Sequence, residues 1–122
     1  MTDANRPDAS SSDVSGSDYG QLQYAEILYA KHDYTEAALI LEKLLANSEV
    51  AHATTDARLL LARSYFHSAQ LAKAEQQARA VLDAQPTEGY AALLLGRTLQ
   101  RQSRHDEARN FMEMAKIWGV SS

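Results

Sequence analysis

With 122 residues, 45% of them hydrophobic and 23% charged, the chain has apolar material enough for the core of one small domain. A net charge of −4 leaves no basic excess for nucleic acid, and the absence of cysteine excludes disulfides, thiolate metal sites and cysteine nucleophiles. No apolar run is long enough to span a bilayer, and the N-terminus lacks the basic start and apolar middle of a signal peptide, so the expected location is cytoplasmic, away from membranes.

Residues 1–17, "MTDANRPDASSSDVSGS", hold only Met1 and Val14 as large apolar side chains. Too little apolar surface is available there to offset chain entropy, and a disordered tail is expected. From Asp18 the texture becomes helical. Leu22, Ala25, Leu28 and Tyr29 predict a helix over 19–31, and Ala37, Leu41, Leu44 and Leu45 one over 35–47. A second pair is expected over 54–68 (Leu59, Leu60, Ala62, Phe66) and 71–84 (Ala74, Ala78, Val81, Leu82). Pro86 and Thr87 then end one helix and begin the next, since proline suits a first turn and not an interior. A third pair follows over 88–102 (Ala91, Leu94, Leu95, Leu99) and 105–118 (Ala108, Met112, Ala115). No alternating run reads as a strand.

These pairs are copies of one layout. "YAEILYAKHDYTEAALILEKLL" overlays "LARSYFHSAQLAKAEQQARAVL" and "LGRTLQRQSRHDEARNFMEMAK" without a gap. Small residues coincide, Ala25 with Ala62 and Gly96, and Ala37 with Ala74 and Ala108. The period is 34 residues, plus three inserted in the "EVAHATT" connector. Two antiparallel helices approach closely only where one side presents no bulk, which accounts for these small residues and for a glycine in mid-helix.

The repeated pattern resembles the tetratricopeptide repeat family over 18–122, as units at about 18–51, 55–88 and 89–122. "LARSYF…KAEQQARAVLDAQP" carries the family's large-then-small pair, its aromatic, its alanines and its closing proline. The tryptophan often found early in such repeats is absent; Gln21, Arg58 and Ala92 stand there. The resemblance implies an all-α solenoid of six helices, with a protein or peptide partner bound on the concave face of the first helix of each unit.

Catalytic chemistry is not expected. His32, His52, His67 and His105 show no metal-ligand pairing, no nucleophile motif or phosphate loop occurs, and no metal or cofactor is called for. On the groove side the resemblance places Tyr19, Leu22, Glu26 and Tyr29 in unit one, Leu59, Arg63, Phe66 and His67 in unit two, and Tyr90, Leu93, Arg97 and Arg101 in unit three. Leu22, Leu59 and Leu93 would form an apolar ladder, the tyrosines and Phe66 aromatic walls, and the three arginines a basic stretch suited to an acidic group or C-terminal carboxylate. The family's best-known carboxylate clamp uses lysines and asparagines, and Leu22, Glu26, Leu60 or Arg63 stand in those places, so that clamp is not reproduced. A competing expectation is that Glu26 and Arg63 satisfy each other.

Charge is graded along the stack: unit one carries −4, unit two zero and unit three +2. That gradient, with an apolar stripe at Phe111, Met114 and Trp118, raises a second reading, a self-assembling protein joined through its terminal faces as a homo-oligomer.

Overall fold

A computed structural model describes residues 18–47 and 51–120. The tail expected to be disordered, residues 1–17, lies outside them. Six helices follow in chain order: α1 (Asp18–Ala30), α2 (Tyr34–Asn47), α3 (Ala51–His67), α4 (Leu71–Ala84), α5 (Gly89–Arg101) and α6 (His105–Ile117). No strand occurs among the described residues. Each helix packs on the next in sequence, and α1 also touches α3, which touches α5. The three hairpins therefore stack with their first helices side by side. Helix α3 starts three residues earlier than the periodicity predicts, because part of the connector read as an insertion coils into an extra turn.

The small residues mark the helix crossings. Ala25, Ala37, Ala62, Ala74 and Ala108 have essentially no exposed surface. A Cβ built on Gly96 would stand 2.5 Å from Met112 Sδ and 3.3 Å from the Ala108 carbonyl, so α5 and α6 touch almost backbone to side chain there. The spaces between crossings are filled by Leu41, Leu61, Leu95 and Leu99, all fully buried. Each contributes roughly 1.5–3 kcal/mol by leaving water. Two buried hydroxyls recur at one register: Ser64 Oγ donates to the Leu60 carbonyl at 2.9 Å, and Thr98 Oγ1 to that of Leu94 at 2.8 Å. The buried Tyr65 hydroxyl donates to the Glu42 carboxylate and ties α3 to α2.

Polar contacts join units two and three along the second helices. Glu75 of α4 accepts from Arg79 Nε at 2.9 Å and from Arg104 Nη1 at 2.7 Å, and Arg104 also holds Glu107 at 2.9 Å. Burial pushes the Glu75 carboxyl up, but hydrogen bonds and charge from the two arginines together outweigh it and hold the group below its ordinary value.

The hairpin turns are one structure used three times. His32, Ala69 and Ser103 stand at equivalent positions with φ of 68°, 63° and 63°. In each, the next amide donates back to the carbonyl five residues earlier, as Asp33 to Leu28 at 2.8 Å, Gln70 to Tyr65 at 2.8 Å and Arg104 to Leu99 at 2.9 Å. This closes the helix end in the left-handed conformation that glycine adopts without penalty. None of the three is glycine. Between α4 and α5 the turn differs: Glu88 precedes α5 and its carboxylate accepts from the Tyr90 amide at 3.1 Å.

Two substitutions test these packing and turn arguments by urea denaturation. Ala69→Gly relieves the strained turn and is expected to stabilise the fold by about 0.5–1 kcal/mol. Ala74→Leu overfills the middle crossing and is expected to destabilise it by roughly 1–3 kcal/mol. Equal midpoints for the wild type and Ala74→Leu would contradict the close approach.

Candidate functional site: the face of the first helices

Because α1, α3 and α5 lie side by side, equivalent residues form rungs across one face. The middle rung is Arg63. Its guanidinium carbon sits 4.6 Å from the ring centroid of Tyr29 on α1 and 5.3 Å from that of Tyr90 on α5, so one side chain touches all three units. Each such contact contributes about 0.5–2 kcal/mol, more where water is excluded. Arg63 makes no ion pair with Glu26, and its Nε is buried without a hydrogen-bond partner. A buried donor left unmade costs about 1–3 kcal/mol.

Beside Arg63 opens a cavity of about 360 Å³ lined by Glu26, Tyr29, Asp56, Leu59, Leu60 and Arg63. Its lining combines Tyr29 and two leucines with charges of both signs. Burial raises the Tyr29 hydroxyl's pKa, while the positive charge of Arg63 works against the rise. The phenol stays neutral and can donate.

The other expected residues fall into distinct roles. Leu22 and Phe66 are half-buried and pack against the unit-one and unit-two core, as does Tyr29. Tyr19 is exposed, its hydroxyl accepting from Gln23 Nε2 at 3.2 Å. Leu93 departs from the expected ladder. It is 4% exposed and packs with Ala92 and Ala115, in a cluster that Val120 and Met114 close from the far side. The segment after α6 folds back here, Val120 Cγ2 lying 2.8 Å from where a Cβ on Gly89 would stand. The ladder thus has two accessible rungs, Leu22 and Leu59, and a buried third.

Arg101 is already engaged. Its Nη1 donates to the Phe66 carbonyl at 3.0 Å and its guanidinium carbon lies 4.9 Å from the Phe66 ring centroid, so it closes the C-terminal end of α3. Arg97 is half-buried and shares the face of Tyr90 and Arg101 on α5. Among the described residues it has no hydrogen bond or ion pair.

A cluster of rings at the hairpin tips extends this face. His67 stacks on Tyr34 with centroids 4.8 Å apart and meets Tyr29 edge-on at 5.7 Å, while His32 stacks on the same Tyr34 at 5.5 Å. Burial lowers the His67 pKa below its ordinary 6.5, and the charges of Arg63, His32 and Arg101 lower it further. His32 and Tyr34 escape the sequence reading because they stand in and just after the turn. The "HDY" motif, where the other two units have "AQL" and "SRH", is the only signal of them.

The stripe expected as a seam does not form a single exposed surface. Phe111 packs against Ala78, Leu95, Leu99 and Ala108 with Arg79 over its ring at 5.4 Å, and Met114 packs against the cluster around Leu93. Phe111 thus lies between its own hairpin and α4 of unit two, and Met114 reaches back toward α5. Trp118 is 47% exposed, next to Ile117 at 74%. No helix is long and apolar enough to cross a membrane, and no cluster of three or more metal-ligating side chains is found, both among the described residues.

Three equivalent hairpins whose first helices share one lined face define a tetratricopeptide-like repeat domain. Residues 19–115 match the family model of anaphase-promoting complex, cyclosome, subunit 3, and over a match of that extent the chain belongs to this family. Comparison with curated proteins finds no match. The repeats of the family are generally non-catalytic and serve protein–protein interaction.

The state of His67 has a consequence for stability. Its proton affinity is lower folded than unfolded, so as pH falls the unfolded chain takes the proton first. The contribution of His67 is complete above 6.5 and declines as pH drops below that value. Urea denaturation of His67→Gln should therefore show a shallower loss of stability than the wild type between pH 6.5 and the carboxylate range. Parallel curves for the two proteins would mean that burial and the neighbouring cations do not lower the proton affinity of His67.

Proposed function

We propose that this domain is a non-enzymatic adaptor that binds a peptide segment of a partner protein along the face of α1, α3 and α5, with an acidic side chain or a C-terminal carboxylate placed against Arg63 and Arg97. The carrying observation is Arg63: a guanidinium held between two tyrosine rings, with a buried and unpartnered Nε at the edge of a cavity. Its planar fork matches a carboxylate, and its orientation is fixed before a ligand arrives. Tyr29 and Leu59 supply apolar wall for a side chain of the peptide. Aromatic residues and arginine are the types that dominate interface energetics.

The charges also give the ligand a direction. Glu26 of unit one and Asp56 of unit two line the cavity, while Arg97 and Arg101 lie on unit three. An acidic group therefore favours the unit-three end, and a neutral or basic residue the unit-one end. Absence of a membrane-spanning helix among the described residues, an acidic net charge and the family's role all suit a protein partner in the cytoplasm.

The test is a synthetic peptide array in which each sequence occurs with a free and with an amidated C-terminus, and with Asp and Glu replaced by Asn and Gln. Captured peptides should lose about tenfold or more in affinity when the acidic group is neutralised, and a similar factor in the Arg63→Ala, Arg97→Ala double variant. Capture that is indifferent to both changes would exclude this use of the face.

A further inference from the structure

Within the stack, every first helix covers the second helix of the unit before it. Leu60, Leu61 and Ser64 of α3 are buried in this way, as are Leu94, Leu95 and Thr98 of α5. The same register on α1 holds Gln23, Tyr24 and Ile27, and Tyr24 and Ile27 are 51% and 52% exposed. A shallow cavity of about 350 Å³ lies on this outer face, lined by Gln23, Glu26, Ile27 and Ala30. At the other side of the molecule, the α6 positions equivalent to Ala38 and Leu45 of α2 are Arg109 and Lys116, both exposed. The two outer faces thus have the geometry of an inter-unit contact, with apolar surface and acid on one and cations on the other.

We infer that a second copy of this chain seats its α1 on α6 of the first, continuing the repeat across the junction. The internal contacts indicate which charges would meet. Inside the stack, Glu75 of α4 pairs with Arg104 of the following unit at 2.7 Å. Moved on by one unit, the Glu75 position is Arg109 and the Arg104 position is Asp33 of the second copy, so the pair recurs with its signs exchanged. Arg109 now has only the exposed Asp106 at 3.3 Å, a contact that a new partner can replace at little cost. One pair opposes. Arg79 and Glu107, 3.5 Å apart inside the stack, become Glu113 and Glu36 of the second copy. The junction is attractive through the −4 and +2 of the two end units, weak because of that like-charged pair, and heterologous, so that a pair joined through it still presents one free face of each kind.

Sedimentation velocity of the full chain over a concentration series at low and high salt reads this directly. Mass should grow with concentration at low salt and return to monomer at high salt. Arg109→Glu and Asp33→Lys should each weaken association about fivefold or more, and an equimolar mixture of the two variants should recover it, because each swapped face then meets its complement. Glu36→Lys should strengthen association by removing the opposing pair. These positions are exposed, and circular dichroism checks that each variant folds. The groove variant Arg63→Ala, Arg97→Ala should leave the mass distribution unchanged, which separates this contact from peptide binding. A monomer under all conditions, or a mixture no better than its components, would overturn the junction. So would a dimer that ignores salt.

Discussion

Everything in this molecule depends on how closely two helices of a hairpin can approach. Alanine or glycine at each crossing lets the backbones come together, and only at that separation do ridges on one hairpin fill grooves on the next. The repeated positions 25, 62 and 96, and 37, 74 and 108, are therefore mechanical. They fix the rotation of each first helix about its axis. That rotation decides which side chains form rungs, and the rungs carry whatever the domain recognises.

Arg63 shows how this constraint becomes a site. Its guanidinium lies over two rings, Tyr29 from the unit before and Tyr90 from the unit after. The stack therefore orients the arginine. Arg101, in the same face, is held differently, by a carbonyl and a ring at the end of α3. Two arginines that look alike in sequence thus divide the work, one bracing the scaffold and one keeping a donor unfilled. Hairpin turns, the Glu75–Arg104–Glu107 chain and the Tyr65–Glu42 contact supply the rigidity against which that unfilled donor can persist.

Much of the fold was legible because a repeat states its pattern three times. Six helices, their order and the small-residue crossings follow from periodicity and overlay alone. What periodicity does not carry is reach. Leu93 shares a register with Leu22 and Leu59, yet Val120 and Met114 cover it, because the chain after α6 returns to the start of α5. Phe111 and Met114 show helical spacing with Trp118, but a long side chain on a helix covers the turn before its own Cα and so reaches inward. His32 and Tyr34 contribute rings from in and beside a turn, where helical spacing offers no guide. The extra turn of α3 is formed by Ala51, His52 and Ala53, which read as connector.

Successive first helices lie in register so that one arginine bridges them. Proton NMR of the Arg63 side chain tests this most directly, since protons lying between two aromatic faces are strongly shielded and a buried Nε–H exchanges slowly with water. Arg63 side-chain resonances are expected well upfield of those of Arg109, with an Nε–H signal that persists in neutral buffer. Resonances at ordinary unshielded positions, with an Nε–H lost to exchange like that of any surface arginine, would contradict that bridge.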